Sequence, residues 1–125
     1  RLLETRAVSM ATPRIQKDNL KRLRTAVKKL HDHNNPTYGF HWQVDDDLHD
    51  AISKACGNAI MAGVIADLRR ITKLFEIQTI PRRIKPGCAE HLAILDAMIS
   101  LDASGASAAM RVHLDRVRAG VMDDL

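Results

Sequence analysis

The sequence predicts an all-α protein, an antiparallel bundle of about six helices, and three observations lead there. Helix-favouring Ala, Leu, Met and Arg recur throughout, while aromatics make up only 3% of the chain. Apolar residues repeat at three- and four-residue spacing in six separate stretches. Between those stretches lie clusters of Pro, Gly and Asn that punctuate a helical pattern. The 125 residues suit one domain, spanning 1–125, with a single core.

The first helix covers 2–11, with Leu3, Ala7, Met10 and Ala11 on one face, and Thr12-Pro13 should end it. Thr12 then reads as the N-cap of a second helix, with Pro13 in its first turn, running through Ile15, Leu20, Leu23, Val27 and Leu30 to about His33. NNPTYG at 34–39 is a loop. A third helix runs from about Trp42, whose ring anchors its start, to Cys56, and stops at Gly57-Asn58. With Asn58 as cap, a fourth carries Ile60, Val64, Leu68, Ile71, Leu74 and Phe75 on one face. TIPRRIKPG at 79–87 holds two prolines and a glycine and reads as a connection. A fifth helix covers roughly 88–101 with His91, Ile94, Leu95 and Met98 inward. The sixth starts near Asp102 or Ser104 and carries Ala106, Ala109, Met110, His113, Val117 and Val121.

Composition excludes several classes. The longest apolar run, AIMAGVIA at 59–66, is too short for a bilayer, and no signal peptide heads the chain, so a soluble cytoplasmic protein is expected. Two cysteines make no disulfide framework, which fits a reducing compartment. Much of the basic excess behind the +4 net charge sits between Arg14 and Lys29 and reads as a solvated helix face, with no aromatic interleaving to suggest nucleic acid. Arg1 in first position is what a piece of a longer chain would show.

The informative residues are polar ones on apolar stripes. Asp45 and His49 are four residues apart and share a helical stripe with Ile52 and Cys56. A carboxylate turned inward calls for a cation: a protonated histidine, an arginine or a metal. His91 and His113 face inward from two later helices, so one carboxylate and three imidazoles can converge if those helices are neighbours. Such a set suits a divalent transition metal, with zinc as the default from ligand type and nickel, manganese and iron as alternatives. The plainer alternative stands beside it: each histidine can be a core residue bonded to a carbonyl or carboxylate, and D-x-x-x-H can be a helical ion pair. Glu90, beside an inward His91, reads as an exposed helix residue, with a place as an alternative ligand the lesser reading, and His31, His33 and His41 read as surface residues.

Three motifs, D-x-x-L-H-x-x-I-x-x-A-x-G-N at 45–58, E-H-x-x-I-L-x-A-M at 90–98 and D-A-x-x-A-x-x-A-M-R-x-H-L at 102–114, occur in that order. Together with LLETRAVSMA at the start, they resemble the FCD effector-binding domain of the FadR subfamily of GntR-superfamily bacterial transcription regulators. The resemblance implies an all-α bundle that binds a small organic-acid effector. It also implies a homodimer that meets operator DNA through an N-terminal winged helix-turn-helix domain, absent from this chain. Its metal ligands fall on Asp45, His49, His91 and His113. Arg69 falls where the family often has an arginine and can clamp a carboxylate or make an exposed ion pair; Asn58 also matches, beside its role as a cap. An arginine the family often places four residues before the glutamate of the first helix would precede Arg1, and Arg1 itself is offset by one.

The expected function is therefore a ligand-sensing regulatory domain, not an enzyme. A rival is a metal-dependent hydrolase of HD-like helical type, suggested by His31-Asp32 and His49-Asp50, but no spare inward acid or base is evident for it. A third possibility is a purely structural metal.

Overall fold

The computed structural model describes residues 2–123 and folds them into six helices: α1 (Leu2–Ala11), α2 (Lys17–Asp32), α3 (Tyr38–Ala55), α4 (Ala59–Glu76), α5 (Ile80–Ile99) and α6 (Ala103–Asp123). Helix α5 packs against α2 and α6, while α1 lies against α3 and α6, so the two longest helices and the shortest share one core. Ala7, Val8 and Ala11 of α1 are fully buried, and their small side chains let its backbone sit close to its neighbours. Leu20, Leu23, Val27 and Leu30 fill the inner face of α2, and Ile94, Leu95 and Met98 that of α5. The basic residues of α2 are largely exposed, with Arg24 reaching Asp96 at 2.8 Å, as a solvated face should be.

Three boundaries and one helix face differ from expectation, each for a local reason. Thr12 closes α1 instead of opening α2: its hydroxyl donates to the Val8 carbonyl at 2.7 Å, and α2 begins only at Lys17. Helix α3 begins at Tyr38, four residues before Trp42, because Thr37 caps it by accepting the Phe40 N–H at 3.0 Å. Trp42 is half-buried against the core, and the Lys73 ammonium stands 5.1 Å from its ring centre. The expected connection at 79–87 is helical. Pro81 suits the first turn of α5, and Pro86 removes one backbone donor, yet burial of Ile80, Ile84, Gly87 and Cys88 carries the helix through it. At the far end Leu101 takes the left-handed conformation (φ 58°), and the Asp102 N–H reaches back to the Ala97 carbonyl at 2.9 Å, turning the chain into α6.

The fourth difference concerns a face. Helix α4 does not bury its apolar stripe: Ile60 and Leu74 are 81% and 72% exposed, and Val64, Leu68, Ile71 and Phe75 are exposed too. Ile65 alone among its described residues is buried. Helix α4 instead turns Ile65, Arg69, Thr72 and Glu76 toward the rest of the domain, because the buried carboxylates there require its arginine. Among the described residues no helix is long and apolar enough to cross a membrane.

Candidate metal centre

Helices α3, α5 and α6 bring Asp45, His49, His91 and His113 together. All four are buried, and one potential ligand atom from each lies within 4.8 Å of the others. His91 Nε2 stands 3.1 Å from His113 Nε2 and 3.3 Å from Asp45 Oδ1, and His49 Nε2 is 3.6 Å from the same oxygen. Asp45 and His49 arrive there because Val44, Leu48 and Ile52 hold that side of α3 in the core. Met110 and Ala106 do the same for His113 on α6, and Cys88, Ile94 and Leu95 for His91 on α5.

Two carboxylates orient the rings from behind. Glu4 of α1 meets His49 Nδ1 at 3.2 Å, and Glu90 of α5 meets His113 Nδ1 at 2.8 Å. A carboxylate on Nδ1 fixes the proton there and leaves Nε2 with a bare lone pair pointing into the cluster. His49 Nε2 is buried with no hydrogen-bond partner among the described residues. The donor set, three imidazole nitrogens and one carboxylate oxygen with an orphaned lone pair among them, fits a divalent transition metal.

The charges agree with that reading. Burial, then the neighbouring His113, holds His91 well below its ordinary range, so its ring is neutral. Burial works to raise the Asp45 carboxyl, but its imidazole neighbours His49 and His91 and the hydrogen-bonded Arg69 guanidinium outweigh it and hold it far below the usual carboxylate range. Arg69 donates to Asp45 Oδ2 at 2.7 Å and also reaches Asp46 and Glu4, leaving Oδ1 to face the histidines. It is thus a partly buried ion-pairing residue in the wall of the site.

A cavity of about 510 Å³ opens beside the cluster, and Asp45, His91, His113, Arg69 and Glu4 form its inner wall. Asn58 lies elsewhere: it is exposed, accepts the Met61 N–H at 3.0 Å as the α4 cap, and does not line this cavity. His41 is half-buried and lines the cavity, contrary to the surface reading, and burial lowers its pKa. Glu90 is buried, not exposed, and is held by Arg83 at 2.5 Å as well as by His113. Arg1 lies outside the described residues. His31-Asp32 of the hydrolase-like pattern is a mostly exposed pair, with His31 Nδ1 3.0 Å from Asp32, and takes no part in the cluster.

Sequence reasoning missed Glu4 and Glu90 as ring-orienting groups. Glu4 carried a usable signal, since it precedes Ala7, Val8 and Ala11 at three-, four- and seven-residue spacing and so shares their buried face. Glu90 carried none, because its partner His113 is 23 residues away on another helix.

Glu76 in the cavity wall is pushed up to about 7, first by burial and then by the Asp45 charge. A carboxyl raised in the folded state favours folding below its ordinary value of 4.5, and that contribution is lost as pH rises through about 7. Glu76→Gln is therefore expected to stabilise the metal-free domain by roughly 1–2 kcal/mol at pH 8 and by nothing near pH 4, checked by urea midpoints across that range. An equal gain at both pH values would show that the carboxyl is not raised.

The chain belongs to the FCD domain family, whose model matches residues 1–116, and FCD domains are effector-binding domains of transcription factors and not enzymes. The fold is also that of a solved structure, the metal-free FCD domain of TM0439, described as a transcriptional regulator. The TM-score is 0.83, the sequences are 18% identical, and the match covers 98% of this chain and 85% of that one. No curated protein shows significant similarity to the chain.

Proposed function

We propose that this domain senses a small organic acid through a divalent metal held by Asp45, His49, His91 and His113, with zinc favoured by the three imidazoles. The observation that carries the reading is the inward turn of the ring nitrogens, fixed by Glu4 and Glu90 from behind, at the inner wall of an open cavity. A cation bound there would supply a fixed positive charge for an effector carboxylate. The chain's own residues do the rest. Glu4 and Glu90 set the tautomers, Asp45 contributes the anionic ligand, and Arg69 both neutralises Asp45 and presents a guanidinium to the cavity. Because Arg69 belongs to α4 and the histidines to α3, α5 and α6, an acid touching both sides would favour one placement of α4 over others. In the reading carried from the family, that shift passes to a DNA-binding domain elsewhere in a homodimeric regulator.

Calorimetric titration of metal-loaded and metal-stripped domain with lactate and malate tests this. Binding is expected only in the loaded protein, and it should leave the fold of the stripped protein intact. Equal binding to both forms would remove the metal from the sensing role. Unfolding on stripping, with no acid bound by the loaded form, would make the metal purely structural.

A further inference from the structure

The cavity is too long and too apolar for its cluster alone. On α6, His113, Val117 and Val121 follow one another in its wall at four-residue steps, so the wall extends about 12 Å from His113 at about 1.5 Å per residue. On α5, His91, Gly87, Arg83 and Ile80 line it in the same way over roughly 16 Å. Leu68 and Phe75 of α4 complete it, both exposed at its edge. Apart from the cluster, about half of the residues in this wall are aliphatic or aromatic; among the polar ones, Glu76 and Arg118 stand at the wall, and Arg83 is paired with Glu90 although its buried Nε has no partner among the described residues. A three- or four-carbon hydroxy acid would occupy only the inner end.

Gly87 adds an independent observation. It lies inside α5, where glycine is a poor helix former, and it is buried, yet a Cβ built on it would meet nothing within 4 Å. No neighbouring protein atom requires the missing side chain. The space it leaves opens onto the cavity, one helical turn from His91 and two from Ile80.

We infer that the effector is an amphipathic monocarboxylic acid whose apolar body runs from the histidine cluster across Gly87 toward Ile80 and Val121. This rests on the proposed metal–carboxylate reading and adds the class of acid. The carboxylate stays at the cluster beside Arg69, and the apolar body lies along the aliphatic part of the wall.

The test is calorimetric titration of the metal-loaded domain with acetate, hexanoate, octanoate and decanoate, and with octan-1-ol, in the wild type and in Gly87→Leu. Affinity is expected to rise about fourfold per added methylene. Gly87→Leu should weaken octanoate and decanoate at least tenfold while leaving acetate binding and metal content unchanged. Gly87→Ala, which adds only the Cβ that has room, should act in the same direction more weakly and guards against misfolding of the leucine variant. Affinity independent of chain length, an equal loss for acetate and octanoate in Gly87→Leu, or no binding across the series would overturn the inference. The two readings fail separately. A chain-length slope shared by octan-1-ol and by stripped protein would keep the channel and sink the metal–carboxylate reading, whereas metal-dependent acetate binding with no slope would do the reverse.

Discussion

His113→Ala is expected to lower the affinity for a divalent transition metal by more than about 100-fold, since loss of a mere orienting partner commonly costs 10–100-fold and this change removes a proposed ligand. The imidazole supplies one of four converging donors, and its Nε2 lies 3.1 Å from that of His91. The fold should tolerate the loss. Glu90, which the ring covers, keeps Arg83 at 2.5 Å and Arg116 at 3.5 Å and is not left as an unpaired buried charge. Elemental analysis of untagged protein purified without metal resin measures the effect: about one equivalent in the wild type, little in the variant, and similar circular dichroism for both. A variant that kept a full equivalent would place the metal somewhere other than this cluster.

Arg69→Ala is expected to destabilise the metal-free domain by about 3–5 kcal/mol, the usual cost of removing one partner from a buried ion pair. The guanidinium is the nearest permanent cation to Asp45, at 2.7 Å, and it also faces Asp46 and Glu4. Without it a buried carboxylate remains beside His91, whose ring is held uncharged by its surroundings. The pH dependence follows from the sign of the Asp45 shift. A depressed carboxyl stabilises the fold above its ordinary value of 3.8, and that stabilisation is lost as pH falls through the folded value. Removing Arg69 brings the folded value up, so acid unfolding of the variant should begin at higher pH than in the wild type. Metal loading should recover much of the loss, because a bound cation replaces the missing charge. Urea midpoints with and without metal decide the matter, and a loss identical in both states would mean that Arg69 acts through packing rather than charge.

The helices and the four convergent residues were legible because both depend on spacing along single elements. Asp45 and His49 share a stripe with Ile52 and Cys56, and that stripe is buried as its apolar members require. His91 and His113 sit among Ile94, Leu95 and Met110 for the same reason. What spacing could not convey was which face of α4 turns inward. Its apolar stripe argues for burial of Ile60, Val64 and Leu74, yet the acidic Asp45, Asp46 and Glu4 draw Arg69 and the opposite face toward the core. Nor does helical spacing show that Thr12 hydrogen-bonds backward to Val8, or that Ile80 and Ile84 hold a helix together across Pro86.

The sparse anchoring of α4 determines how the domain fluctuates. One buried isoleucine, the Arg69 pairs and Lys73 on Asp46 at 2.6 Å tie the helix to α1 and α3, while its outer stripe rests on solvent. The free energy needed for such a helix to detach locally is set by those few links and lies below that of global unfolding. Its backbone amides then exchange with solvent by a route closed to those of α5, whose Ile94, Leu95 and Met98 have no exposure at all. An occupant bridging the cluster and α4 would alter chiefly how often α4 departs, so under the proposed function the signal would be carried in the lifetime of one helix as much as in the arrangement of six.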